Sequence, residues 1–200
     1  MTLSRDIRPP LVALGFSALL LLPGLAVLGG LLPFDQRFEA LLIVSALCIG
    51  ACVATGFTRA ELGFGPPWVA RHWAGGIALT LGLAALIFLE ANYVGGRSQP
   101  DWLAFAPFYV LVSSPCQEVV CRAIPMLIAE RLQMTGRSYI LFSSVIFSLM
   151  HCAYGDPLLL ANTFFAGVVW AGAYLVTRNI WPLVFSHAAV GTFAFWLGVA

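Results

Sequence analysis

The sequence predicts an all-α, polytopic integral membrane bundle of about seven transmembrane helices, forming a single membrane domain over residues 1–200. Three observations lead there. Of the 200 residues, 60% are hydrophobic and 10% are charged, where soluble domains carry about 25% charged residues. Mean hydropathy is +0.93. The apolar residues fall into runs on the order of 20 residues, the length that crosses a hydrocarbon core of about 30 Å. A net charge of +1 offers nothing to nucleic acid, so the bilayer is the first partner the composition implies. The five cysteines, Cys48, Cys52, Cys116, Cys121 and Cys152, lie in or beside apolar runs. Their odd number and placement argue against a disulfide framework.

The spans follow in order. A polar lead with Arg5 and Arg8 ends at Pro9-Pro10, and the first span covers about 11–32. It is interrupted by Pro23-Gly24 and Gly29-Gly30, which favour a kink. It is read as a retained span, because no small-residue cleavage site follows it. After Asp35-Gln36-Arg37 comes a second span at about 38–57. Residues 58–73 mix Trp68 with Arg59, Arg71 and prolines, as an interfacial segment does. The third span is about 73–93. The fourth element, about 101–134, is too long for a simple span, and Pro107, Pro115 and Pro125 should break, kink or tilt it. The last three spans are about 138–153, 158–177 and 180 onwards. Loop arginines set the orientation. With the N-terminus in the cytoplasm, Arg5, Arg8, Arg59, Arg71, Arg131, Arg137 and Arg178 are cytoplasmic, against Arg37 and Arg97 outside. A multi-pass protein of the cell inner (plasma) membrane is therefore expected.

Chemistry concentrates in three apolar stretches. Glu118 and Arg122 are spaced i,i+4, on one helix face within ion-pair reach. An ionisable pair inside a span is costly and marks a candidate site. His151 and His187 supply the other two places with buried titratable groups. With the N-terminus inside, all three places reach the cytoplasmic half of the bilayer, where one cavity can hold them.

These stretches also carry a resemblance. Gln117-Glu118-Val-Val-Cys-Arg122 resembles the Glu-Glu-x-x-x-Arg motif of the CPBP intramembrane proteases, the CAAX-protease and bacteriocin-processing (Abi) family. Phe147-Ser-Leu-Met-His151 is similar to its Phe-x-x-x-His motif. Phe164-x-x-Gly167 resembles its small-residue helix, and Asn179 to His187 resembles the approach to its last histidine. The ordered set covers the protease-like core, about 101–200. The resemblance implies an intramembrane endopeptidase acting on a membrane-associated peptide or protein: prenylated, leader-bearing or carrying a C-terminal sorting segment. It implies that a motif-one glutamate activates water with the second-motif histidine assisting, and that the last histidine and an asparagine four residues on stabilise the oxyanion. Catalytic candidates are then Glu118, His151, His187, Arg122 and Gln117.

Two positions depart from the pattern. Gln117 replaces the glutamate usually credited as base, and an amide takes no proton from water at neutral pH. Gly191 replaces the asparagine, with Thr192 or Asn162 as possible substitutes. Gln117 and Glu118 are 100° apart on an ideal helix, so both border one cavity only if it is broad or the helix is distorted near Pro115. The main alternative is a catalytically degenerate scaffold, immunity or chaperone-like protein on the same fold. A thiol mechanism through Cys121, Cys116 or Cys152 is a second alternative. No cofactor is demanded; a metal, were one bound, would take Glu118, His151 and His187. A transporter would show two related halves with broken helices, which the sequence lacks.

Overall fold

The structure is a computed structural model and describes residues 9–94, 96 and 99–200. Arg5, Arg8 and Arg97, used in the arginine count, lie outside the described residues. Seven α-helices run through the described residues: α1 Pro9–Leu28, α2 Arg37–Ala54, α3 Ala70–Ala91, α4 Trp102–Arg131, α5 Gly136–Leu149, α6 Pro157–Thr177 and α7 Trp181–Trp196. No strand occurs among the described residues. The short connection at 132–135 makes α4 and α5 antiparallel, and that at 150–156 does the same for α5 and α6. Five of the helices, α1 to α4 and α6, are long and apolar enough to cross a membrane. α5 and α7, with 14 and 16 residues, are shorter than a full crossing needs. Large apolar side chains face outwards all round, among them Leu14, Leu22, Leu81, Leu111 and Val176. On a soluble protein such a surface would aggregate; here it is the lipid-facing side of an all-α membrane bundle.

The prolines of α4 do not break it. The helix runs for 30 residues, and two π-helical turns, Tyr109–Ser113 and Val119–Ala123, widen it on either side of Ser114–Glu118. Their origin is local. A proline has no N–H for the carbonyl four residues earlier, so Pro125 leaves the Cys121 carbonyl without its helical donor. That carbonyl instead accepts from Ser143 Oγ at 2.6 Å and from Arg122 Nη1 at 3.4 Å. Before Pro115, Ser114 Oγ turns back to the Tyr109 carbonyl at 2.9 Å. π-turns of this kind are common at functional sites, and here they aim Tyr109, Gln117 and Glu118.

α5 and α6 pack closely because Gly167 offers no side chain. A Cβ there would sit 3.0 Å from Ser144 Cα and 3.4 Å from the Phe147 ring. Gly167→Leu is expected to push α5 from α6 and cost about 1–3 kcal/mol, as overpacking typically does. Thermal unfolding in detergent reads the loss. At the opposite end from Arg37, the 57–69 loop docks on the α6–α7 corner. Ile180 N–H donates to the Gly63 carbonyl at 3.0 Å, Asn179 Nδ2 to the Pro66 carbonyl at 3.1 Å, and Trp181 Nε1 to the Gly65 carbonyl at 3.2 Å. These bonds fix the start of α7, and so the position of His187 six residues on.

Candidate active site

His187 lies at the centre of a polar cluster in the apolar core. Its Nδ1 is 2.7 Å from Glu118 Oε1. The other oxygen, Oε2, is 3.3 Å from Arg122 Nε. Arg122 reaches on to Ser143 Oγ at 3.0 Å and lies over the Phe147 ring, 4.5 Å from its centroid. Glu118 and Arg122 have no exposed surface. The His187 ring stacks on Trp170 at 4.8 Å and meets the edge of Phe147 at 5.4 Å. Trp170 is itself held by its Nε1 donating to Ser186 Oγ at 3.0 Å. The ring therefore cannot turn, and its Nε2 edge has one direction.

His151 lies on the other side of Phe147, 4.9 Å between ring centroids. Its Nδ1 is 2.8 Å from the Phe147 carbonyl. A carbonyl only accepts, so Nδ1 carries a proton, and in the neutral ring Nε2 is bare. The same holds for His187. The Glu118 carboxylate likewise only accepts, so Nδ1–H donates to it, and in the neutral ring Nε2 is left as an acceptor.

A cavity of about 130 Å³ joins the two imidazoles, with room for several waters. Gln117, His151 and His187 line it, together with Tyr109, Trp170 and Gly191. The expectation that Glu118 and Arg122 also face it is corrected: they are absent from the lining. The cause is the 100° between adjacent residues on α4. Gln117 points into the cavity, and Glu118 points at α7, where His187 covers it. Gln117 Nε2 donates to Ser113 Oγ at 2.8 Å, while its Oε1 is buried with no partner.

The depth expected from sequence is also corrected. The lining extends to Arg37, Tyr154 and Ala200, at the end of the bundle where α2 begins and α7 has ended. It includes nothing from the 57–69 loop at the arginine-rich end. α5 is so short that His151, just past its C-terminus, already belongs to the far half.

The substitutes named for Gly191 are both otherwise placed. Asn162 lines the cavity, but its Nδ2 is held by both Glu90 oxygens at 2.7 and 2.9 Å. Thr192 lines a separate groove on the lipid side, with Trp102, Phe185 and Trp196. All five cysteines are free, and none lines the cavity. Cys121 Sγ is fully buried against Met150 Sδ at 3.2 Å. Among the described residues, no three of His, Cys, Asp and Glu are grouped as metal ligands. Glu118, His151 and His187 thus do not form a three-ligand set, because Glu118 is spent on His187 and Arg122.

The cluster sits where the sequence motifs lie, and comparison with protein families bears on it directly. Residues 99–193 match the Rce1-like family, type II CAAX prenyl endopeptidase Rce1-like. The match covers just under half of the chain, from the start of α4 to beyond His187, and bears out the CAAX-protease resemblance there. No curated protein and no solved structure matches the chain. The Rce1-like segment contains Gln117, Glu118, Arg122, His151 and His187; α1, α2 and α3 lie before it. Sequence reasoning passed over Tyr109, although it too belongs to the Rce1-like segment. Nothing in the local sequence sets it apart from Trp102, Phe105 and Phe108, and only its contact with Gly191 does.

Proposed function

We propose that this chain is an intramembrane endopeptidase that hydrolyses a peptide bond in a membrane-associated polypeptide, with His187 as general base and Glu118 acting through it. The observation that carries the reading is the 2.7 Å contact between Glu118 and the imidazole of a cavity-lining histidine. A carboxylate on Nδ1 holds the ring in one tautomer and stabilises the imidazolium that forms when Nε2 takes a proton. Water in the cavity has two acceptors for its two hydrogens, His187 Nε2 and the unpartnered Gln117 Oε1. Held so, its lone pair is free to attack the substrate carbonyl carbon. The water proton goes to His187, the carbonyl oxygen becomes the oxyanion, and the C–N bond breaks as a proton is delivered to the departing nitrogen. His151, with its own bare Nε2, is the second imidazole of the proton path. In this reading Gln117 positions water and does not ionise. Arg122 balances Glu118 and fixes its rotamer. No metal or other cofactor takes part, so a chelator is expected to leave the rate unchanged.

The loop arginines favour an N-terminus in the cytoplasm, and in that orientation the cavity mouth near Arg37 faces away from it. Substrate then approaches from the non-cytoplasmic face, which favours a leader-bearing or C-terminal sorting segment over a prenylated C-terminus. A membrane-impermeant maleimide should label Asp35→Cys from outside intact cells and Arg59→Cys only after permeabilisation. The reverse pattern would put the mouth on the cytoplasmic side.

The test of the activity is purified wild type against His187→Gln and His151→Ala, on a panel of membrane-anchored peptides. Cleavage lost in both variants supports the reading. Loss in Cys121→Ala with both histidine variants active would move the chemistry to the thiol.

A further inference from the structure

We propose that the Tyr109 hydroxyl is the oxyanion donor of this site, and that position 191 is glycine to admit it; this rests on the peptidase reading above. In their neutral forms both cavity-lining imidazoles, with Nδ1 donating, have a bare Nε2, so neither can donate a hydrogen bond to a developing negative charge. The donor must come from elsewhere in the lining, and most polar groups there are committed. Asn162 is held by Glu90, Trp170 Nε1 donates to Ser186, and Thr163 Oγ1 donates to the Leu159 carbonyl at 2.7 Å. At the mouth, Arg37 Nε donates to the Tyr154 hydroxyl at 3.4 Å, which holds both side chains at the rim beside Phe34. Gln117 Nε2 is turned to Ser113.

Tyr109 is different. It projects from the first π-turn of α4, is 6% exposed, and lines the cavity. Its ring is clamped by Phe105 at 5.1 Å and Phe195 at 5.7 Å, and meets His187 edge-on at 6.0 Å. The hydroxyl ends against the Cα of Gly191. A Cβ at 191 would collide with the Tyr109 oxygen and come within 2.6 Å of Cζ and 2.8 Å of Cε1. Gly191 has no unusual backbone that would itself call for glycine; its φ is not in the left-handed region. Space for the phenol is therefore the reason for glycine at this place, one turn after His187. The two departures seen in sequence thus have separate answers: Gln117 holds water, and the side chain missing at 191 is replaced by a hydroxyl from α4. A rigid O–H donor in a buried cavity loses little by reorganisation when charge appears, which is the condition for strong oxyanion stabilisation.

The experiment is Tyr109→Phe, which keeps the clamped ring and removes only the hydroxyl, with kcat and KM measured separately. A fall in kcat on the order of 10²–10³, as for loss of one oxyanion donor, with KM nearly unchanged, is the expected result. Gly191→Asn alone should lose thermal stability in detergent, and adding Tyr109→Ala should restore it by emptying the space. That readout needs no activity. An active wild type with an equally active Tyr109→Phe would overturn the inference and leave the peptidase reading intact. A silent wild type with Gly191→Asn still rescued by Tyr109→Ala would overturn the catalytic role and the peptidase reading together. A Gly191→Asn protein as stable as wild type would refute the spatial claim itself.

Discussion

Arg122→Ala should yield little folded protein. Arg122 is fully buried, paired with Glu118 at 3.3 Å and bonded to Ser143 at 3.0 Å. Its guanidinium also lies over Phe147, and 5.8 Å from the Trp170 ring. Removing one partner of a buried pair typically costs about 3–5 kcal/mol, because the survivor keeps its charge without its counter-charge. Against a total stability of about 5–15 kcal/mol, that is a large share. Arg122→Lys should be intermediate: an ammonium keeps the charge but cannot face Glu118 and Ser143 with two fixed N–H groups. Yield and thermal midpoint in detergent give the answer. Wild-type values for Arg122→Ala would mean that Glu118 is not held by this pair.

The second large effect is on rate. His187→Gln should lower turnover by about 10²–10⁴, the range contributed by a general base. Glu118→Gln should do comparable damage by a different route. A carboxamide can donate to Nδ1, which would move the ring proton to Nε2 and remove the acceptor that water needs. The two variants should therefore be non-additive: the double variant should be no slower than the worse single one. Additive losses would show that Glu118 acts on the substrate or water independently of His187.

Much of this was legible in the sequence, for reasons that differ between elements. Each of the seven helices begins and ends within a few residues of its apolar run, because lipid demands unbroken backbone bonding and leaves little choice of boundary. The Glu118–Arg122 pair follows from i,i+4 spacing alone. The role of the prolines was only partly legible. Pro115 and Pro125 do perturb α4, but as widened turns within one continuous helix, because Ser114, Ser143 and Arg122 take up carbonyls near each proline. Which of Gln117 and Glu118 faces the cavity depends on the rotation of α4 against α7, which no local pattern encodes. Tyr109 was out of reach for the same reason: its partner Gly191 is on another helix, and a glycine that makes room looks in sequence like a residue that is missing.

The most direct test of the central claim is the cleavage rate of purified wild type beside that of Gln117→Glu on the same membrane-anchored peptides. The reading holds that wild type is competent as it stands, with Gln117 holding water for His187. A second carboxylate at position 117 would not have Arg122 as its counter-charge, since Arg122 is already used by Glu118. Wild type should therefore cleave, and Gln117→Glu should cleave more slowly. A silent wild type that gains cleavage with Gln117→Glu would contradict the account, showing that the natural chain keeps the fold without the reaction.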